Sequence, residues 1–187
     1  AFGLIVMAMI YSFGNISGAH LNPAVTVGFA VAGRLPVKTV PPYIASQLIG
    51  AVAAAALLRF LFPEHTTLGS TFPSGAVTQA FTAEVVFTFF LMLVILNVST
   101  GHKEKGIMAG VAVGGTIAFE ALLASPLTGA SMNPARSLAP ALLSGQLNAL
   151  WIYLLAPILG TFLAHPTCRW IQGSECCPEE PKNENSC

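Results

Sequence analysis

Long apolar runs, separated by short polar and turn-forming segments, dominate the sequence. Four runs of 19 to 23 residues cover 80–98, 106–125, 150–171 and 40–62. Each is long enough to cross the roughly 30 Å hydrocarbon core of a bilayer as a helix rising about 1.5 Å per residue. A fifth run, 1–13, has about half that length, and we interpret it as the end of a span whose beginning is missing. The pattern predicts a helical protein that crosses the membrane several times.

The composition supports a membrane protein and excludes several other classes. Of 187 residues, 54% are apolar and only 9% are charged, with a formal net charge of zero. A soluble domain of this size would need more charges to cover its surface. A nucleic-acid-binding protein would need a basic face, and a disordered chain would be poor in apolar residues. The apolar runs are also too long, and alternate too little, for a transmembrane barrel.

An internal repeat organises the chain. Two short segments, 17–32 and 128–143, are too polar and too rich in turn-forming residues to span, and they align at an offset of 111 residues. Gly-Ala-His-Leu-Asn-Pro-Ala at 18–24 then falls on Gly-Ala-Ser-Met-Asn-Pro-Ala at 129–135, with five of seven positions identical. The flanking runs follow the same offset, so we predict a channel domain over 1–171, with a first repeat at 1–62 and a second at 80–171. The run 80–98 has no counterpart, which predicts that roughly thirty to forty residues are missing upstream and that they hold one whole span and the start of another.

The two repeats are expected to have opposite orientations, because a repeat of three spans is odd in number. Basic residues mark the loops expected on the cytoplasmic side, whereas the loop 63–79 has no lysine or arginine; these basic residues are Arg34, Lys38, Lys103 and Lys105. The tail 172–187 is polar and predicted to be disordered and cytoplasmic. Its cysteines are expected to be free thiols in a reducing compartment, with acylation or soft-metal binding at 176–177 as alternatives.

Each Asn-Pro-Ala motif predicts the start of a short helix, because Asn is a strong N-cap and Pro favours the first helical position. Two half-helices entering from opposite faces would meet N-terminus to N-terminus near the midplane. Their positive dipole ends would repel cations there. The residues before each Asn are expected to be extended and to offer their carbonyls to a small polar solute inside a water-filled cavity. The motif residues are Asn22, Pro23, Ala24, Asn133, Pro134 and Ala135, and the carbonyls are those of Gly18, Ala19, His20, Gly129, Ala130 and Ser131.

Two such motifs at matching repeat positions resemble the aquaporin, or major intrinsic protein, family. The resemblance rests on 16–26 and 129–137 and covers nearly all of 1–171. It implies an all-α, inverted-repeat bundle of six spans with two re-entrant half-helices, one pore per subunit and a homotetramer. Exclusion of ions by half-helix dipoles is itself known from pores of the aquaporin type.

The resemblance also implies a selectivity filter formed by Phe2, Ala121, Ala130 and Arg136. Water-selective members of the family have His where this chain has Ala121, so the filter is expected to be wider here. Glycerol facilitators have Asp where this chain has Ser137. The mixture looks like the nodulin-26-like branch and its bacterial relatives, which pass water and small uncharged solutes such as glycerol, urea or metalloid acids. A narrow, water-selective pore is the alternative.

Two glutamates lie within predicted spans, where a charge is costly and usually paired or functional. Glu84 matches a family position that braces an extended segment by accepting its backbone N–H groups; a proton relay is the alternative. Glu120 is expected either at a helix interface or at the outer mouth.

Other functional classes find less support in the sequence. A secondary transporter would need a coupling-ion site, and the spans hold no acid besides the two glutamates. A membrane enzyme would need a nucleophile with its base, and the sequence shows no such motif around its histidines. We therefore predict a passive channel in the cell membrane (plasma or bacterial inner), with no catalytic residue, cofactor, metal or nucleic-acid partner. Its partners are expected to be water, small neutral solutes and the lipid bilayer.

Overall fold

The computed structural model describes residues 1–99 and 103–176, with side-chain detail for all of these except 103–106, 174 and 175. This part of the chain is entirely helical, as the apolar pattern predicts, and contains no strand. The seven α-helices are α1 Phe2–Ser17, α2 Pro23–Val31, α3 Val40–Leu61, α4 Val77–Val98, α5 Lys103–Thr128, α6 Pro134–Ser144 and α7 Leu150–Gln172. Single 3₁₀ turns occupy Val37–Thr39 and Gly173–Cys176.

Four of the helices have the length and hydropathy to cross a membrane, namely α3, α4, α5 and α7. The chain is therefore an integral membrane protein. Helices α2 and α6 are too short to span, with 9 and 11 residues, and they correspond to the two predicted half-helices.

Glycine permits close packing between the long helices. A Cβ atom added to Gly160 of α7 would lie 2.4 Å from the carbonyl oxygen of Val85 in α4. A Cβ atom on Gly3 of α1 would lie 2.1 Å from the carbonyl oxygen of Gly114 in α5. In both places the two backbones approach so closely that no side chain fits, as is typical of helix pairs in membranes.

The repeat is visible in the packing. Half-helix α2 packs against α7, and half-helix α6 packs against α3, so that each half-helix contacts the last span of the other repeat. Helix α4 covers both α7 and α5, and none of the described helices covers α3 and α1 in the same way. As a result, only 6% of the apolar window of α3 is buried, compared with 39% in α7.

Two expectations about local structure need correction. The chain before each Asn-Pro-Ala motif is not extended, because Ala19, Leu21, Ala130 and Met132 all have positive φ. Gln172 ends α7 instead of beginning a disordered tail, and the chain continues as an ordered turn through 176.

Two of the four cysteines are paired in the structure. Cys168 and Cys176 form a disulfide, so the prediction of free thiols is wrong for them. Packing brings them together, because the chain folds back at Gly173 and leaves their Cα atoms 5.9 Å apart. The remainder of the tail, with Cys177 and Cys187, lies outside the described residues.

Candidate channel pore

Both Asn-Pro-Ala motifs form N-caps of half-helices. The Oδ1 atom of Asn22 accepts a hydrogen bond from the Ala24 amide at 2.9 Å. The Oδ1 atom of Asn133 accepts from the Ala135 amide at 3.0 Å and from the Arg136 amide at 3.3 Å. Proline occupies the first helical position in both, where its missing N–H costs nothing.

The side-chain amide of each asparagine also donates a hydrogen bond to the other repeat. Nδ2 of Asn22 donates to the Met132 carbonyl at 2.7 Å, and Nδ2 of Asn133 donates to the Leu21 carbonyl at 2.9 Å. Each carbonyl belongs to the residue directly before the opposite asparagine. The reciprocal bonds place the N-termini of α2 and α6 together, with their positive dipole ends facing each other.

An amide NH₂ group has two hydrogens, and only one of each is used in this exchange. Both asparagines line the same cavity. Their second N–H groups are therefore available as donors to a molecule inside that cavity.

The backbone before each motif follows the same unusual course in both repeats. Gly18 and Gly129 have φ angles of 73° and 80°, and the residues one and three positions further on are also left-handed. A left-handed conformation costs a non-glycine residue about 1 kcal/mol or more, so the surrounding structure must hold it.

Glu84 supplies that support in the second repeat. It is fully buried, and its Oε1 accepts from the Ser131 amide at 3.0 Å and from the Thr128 hydroxyl at 2.7 Å. Its Oε2 accepts from the Met132 amide at 2.7 Å. Both ends of the carboxylate are thus engaged by the segment that leads into Asn133, which is the geometry expected of a brace.

In the first repeat, His20 belongs to the segment before Asn22, and its ring contacts Thr26 of α2. The Thr26 hydroxyl donates to the Asn22 carbonyl and accepts from the Gln47 amide, so its contact with His20 Nδ1 at 3.2 Å requires Nδ1 to be the donor. In the neutral ring, Nε2 is then an acceptor, and His20 lines the cavity. This tautomer is inferred from the hydrogen-bond network.

The cavity has one polar wall and one apolar wall. Its volume is about 160 Å³. The polar wall comes from the segments before the two asparagines, and the other wall from aliphatic and aromatic side chains of α1, α4 and α5. These side chains include Val6, Ile10, Leu91, Ile95, Val113 and Ile117.

All four predicted filter residues line this cavity: Phe2, Ala121, Ala130 and Arg136. The guanidinium carbon of Arg136 lies 5.0 Å from the centre of the Phe2 ring. Carbonyl oxygens hold the guanidinium, with Nη1 donating to Gly69 at 2.6 Å and Nη2 to Gly129 at 3.5 Å. Gly129 itself does not line the cavity, so its carbonyl contacts the arginine instead of contributing to the predicted row.

With this geometry in place, comparison with known proteins identifies the family. The profile of the family described as major intrinsic protein matches residues 1–166. The chain belongs to the major intrinsic protein family. Its members are aquaporin-type channels and not enzymes, in agreement with the prediction from sequence.

The relatives of this major intrinsic protein include nodulin-26-like proteins of plants. Aquaporin NIP1-4 of Oryza sativa subsp. japonica is 52% identical over 161 residues, which cover 86% of this chain and 59% of the relative. Nodulin-26 of Glycine max is 46% identical over 159 residues, or 84% of this chain and 59% of the relative. These similarities support the nodulin-26-like branch. The chain spans about three-fifths of the length of these curated relatives.

A solved structure shows the same fold. The aquaglyceroporin from Plasmodium falciparum superposes with a TM-score of 0.81 at 27% sequence identity. The match covers 91% of this chain and 80% of the aquaglyceroporin. The predicted all-α channel fold is thereby confirmed.

Sequence reasoning missed several groups that shape this major intrinsic protein pore. The loop between α3 and α4 contributes the Gly69 carbonyl and Thr71, whose hydroxyl donates to Ser137 at 2.8 Å. The Leu21 and Met132 carbonyls receive the asparagine amides. Most of these groups are backbone carbonyls, which any residue can supply, so the sequence carries no signal for them beyond their place in the repeat.

Proposed function

We propose that the chain forms the pore of a passive channel for water and small uncharged solutes. The observation that carries the proposal is the pair of asparagine amides, each with one N–H bound across the repeat and one N–H available in the cavity. A water or hydroxyl oxygen that passes this point would accept from both amides at once.

The lining of the filter favours solutes larger than water. Two of the four residues, Ala121 and Ala130, present only a methyl group to the cavity. An apolar wall opposite a polar one suits a molecule with hydroxyls on one side and carbon on the other. We therefore propose glycerol, urea and metalloid acids as the solute class, which is also consistent with similarity to an aquaglyceroporin.

Ions and protons would be excluded by two positive features. The first is the facing dipole ends of α2 and α6, and the second is the guanidinium of Arg136. A fixed positive charge acts strongly on cations in a narrow site of low dielectric.

Stopped-flow light scattering on proteoliposomes tests the solute range. We expect wild-type vesicles to reswell in glycerol, and Ala121→His to lower the ratio of glycerol to water permeability. Ala109→His is the matched control, because Ala109 lines the same cavity on the same helix about 18 Å from Ala121 at 1.5 Å per residue. Vesicles that pass water but do not reswell in glycerol would favour the water-selective alternative instead.

The pore wall has a gap on the side of α3. An open groove there is lined by Leu21, Gln47, Gly50, Asn133 and Arg136, so pore residues reach the surface. We propose that a further apolar helix covers α3 and α1 as α4 covers α7 and α5. A chain extended upstream by such a span should gain thermal stability and water permeability, and equal values for both chains would contradict this.

Assembly and location follow from the family resemblance. We propose a homotetramer in the cell membrane, with one pore in each subunit. Light scattering of the detergent-solubilised protein should then give four times the chain mass after subtraction of the detergent, and a monomeric mass would argue against it.

A further inference from the structure

A disulfide ties the end of α7 to the turn that follows it. Cys168 lies in the last part of α7, and Cys176 ends the 3₁₀ turn Gly173–Cys176. Gly173 makes the return possible, because its φ of 60° and ψ of −134° are accessible to glycine and unfavourable for other residues. Both cysteines are fully buried, in a cluster with Ala32 and Leu96.

Arg34 connects this turn to the mouth of the pore. The Cys176 carbonyl accepts from Nε of Arg34 at 2.9 Å and also from Nη2. Nη1 of the same guanidinium donates to the Leu96 carbonyl at 3.0 Å and to the Ser99 hydroxyl at 2.7 Å. Ser99 and its neighbour Val98 line the cavity, so one arginine joins the disulfide-closed turn to the wall of the pore.

A second contact joins the same parts of the fold. The side-chain amide of Gln172, at the end of α7, donates to the side-chain oxygen of Asn97 in α4. The segment around Gly173 is thus bonded to α4 on both sides, directly through Gln172 and through Arg34 at Cys176. A 3₁₀ turn of four residues has few stabilising contacts of its own, so these bonds to neighbouring elements decide whether the turn stays closed.

We propose that Cys168 and Cys176 form a redox-labile latch that holds the turn 173–176 against the pore mouth through Arg34. The basic loop residues predict that this end of the bundle faces the cytoplasm. Disulfides there meet a pool of small thiols and, where they occur, tend to be transient and to sense redox state. The proposal goes beyond solute transport, because it concerns a site that does not contact the solute.

The chemistry is thiol–disulfide exchange. A thiolate attacks one sulfur of the disulfide and forms a mixed disulfide, and a second thiol completes the reaction. The products are two protein thiols and the disulfide of the reductant. Because both sulfurs are buried, the reductant gains access only when the turn opens, so the observed rate follows the opening equilibrium.

The test measures the rate of reduction by dithiothreitol in the reconstituted full chain, with Cys177 and Cys187 replaced by serine. Mass-tagging of released thiols follows the reaction. We expect Arg34→Lys to be reduced about tenfold faster than the parent, since one lost hydrogen bond to a charged donor is worth roughly that factor. Arg59→Lys is the matched control, because Arg59 also donates to carbonyls but at the other end of α3, where one of them is that of Leu143.

A second variant and a second measurement keep the test valid if Arg34→Lys does not fold. Gly173→Ala should also accelerate reduction, because the turn then needs an unfavourable φ. On reduction of the parent protein, amide hydrogen exchange should rise at 96–99 and stay unchanged at 141–145. Equal reduction rates in the parent, Arg34→Lys and Arg59→Lys, or no change in exchange at 96–99, would overturn the latch. Water permeability measured in parallel separates this outcome from a failure of the channel itself.

Discussion

Glu84 and Glu120 are buried carboxylates on neighbouring helices, and they differ in what they bind. Their exposed fractions are 0% and 4%. Glu84 accepts three hydrogen bonds from the segment before Asn133, whereas Oε2 of Glu120 has no hydrogen-bond partner among the described residues. The sequence predicted that Glu120 lies either at a helix interface or at the outer mouth of the pore. Glu120 is buried on α5, which packs against α4, and this favours the interface.

Replacing Glu84 by Gln should destabilise the protein. A glutamine side chain has one acceptor and one donor group, so one of the Ser131 and Met132 amides would face a donor and remain unpaired. We expect a loss of roughly 2–4 kcal/mol in the free energy of unfolding, based on bonds to a charged acceptor. Thermal unfolding in detergent measures it. Unchanged stability together with altered proton flux would favour the proton-relay alternative.

Replacing Glu120 by Gln should not destabilise the protein, in contrast to the same substitution at Glu84. A buried carboxylate with an unpaired oxygen is costly, and the uncharged amide of Glu120→Gln is cheaper to bury. We expect unfolding to be unchanged or stabilised by about 1 kcal/mol, with water permeability retained. A strong destabilisation would contradict the assignment of Glu120 as an incompletely paired carboxylate.

Two adjacent glycines of α5 provide a matched test of helix packing. A Cβ atom on Gly114 would lie 2.6 Å from the Gly3 carbonyl oxygen, whereas one on Gly115 meets nothing within 4 Å. Gly114→Ala should cost about 1–3 kcal/mol by forcing α1 and α5 apart. Gly115→Ala should be neutral or stabilising by up to about 1 kcal/mol, because alanine favours the helix. If the two variants unfold at the same temperature, the close approach does not contribute to stability.

Cation exclusion should depend on Arg136 and on the asparagine pair together. Arg136→Val should admit some cation or proton current while water still flows, because the fixed charge is lost. Combining it with Asn22→Asp should increase the cation current further, since the carboxylate offsets the dipoles of α2 and α6. Voltage clamp of expressing cells gives the currents. If the variants conduct water but carry no more current than wild type, Arg136 and the dipoles do not exclude cations, and another feature of the pore must do so.

Mercurial compounds should inhibit the channel only weakly. Neither the filter nor the segments around Asn22 and Asn133 contain a cysteine, and Cys168 and Cys176 are buried in a disulfide. Ala130→Cys should create sensitivity, because Ala130 lines the cavity. Water permeability before and after mercury treatment gives the comparison. Strong inhibition of a variant with all four native cysteines replaced by serine would contradict the assignment of the pore.

The sequence by itself determined the helices and the two half-helix starts. Apolar runs of span length must form helices in a bilayer, because only a helix pairs all their backbone groups within the segment. Asn followed by Pro caps a helix by local hydrogen bonding alone. The repeat offset then related the two motifs, and the family resemblance that these motifs carry implied where a filter would form. All of these depend on side-chain identity or on neighbours along the chain.

Tertiary structure decided the features that depend on backbone groups and on distant partners. The left-handed residues before Asn133 are tolerated because Glu84, 47 residues from Ser131 in sequence, accepts their amide hydrogens. The Gly69 carbonyl reaches Arg136 from a loop 67 residues away, and any residue at that position offers the same oxygen. Cys168 and Cys176 pair because the chain reverses at Gly173. Such contacts leave no pattern in the sequence, since they arise only when the helices are packed together.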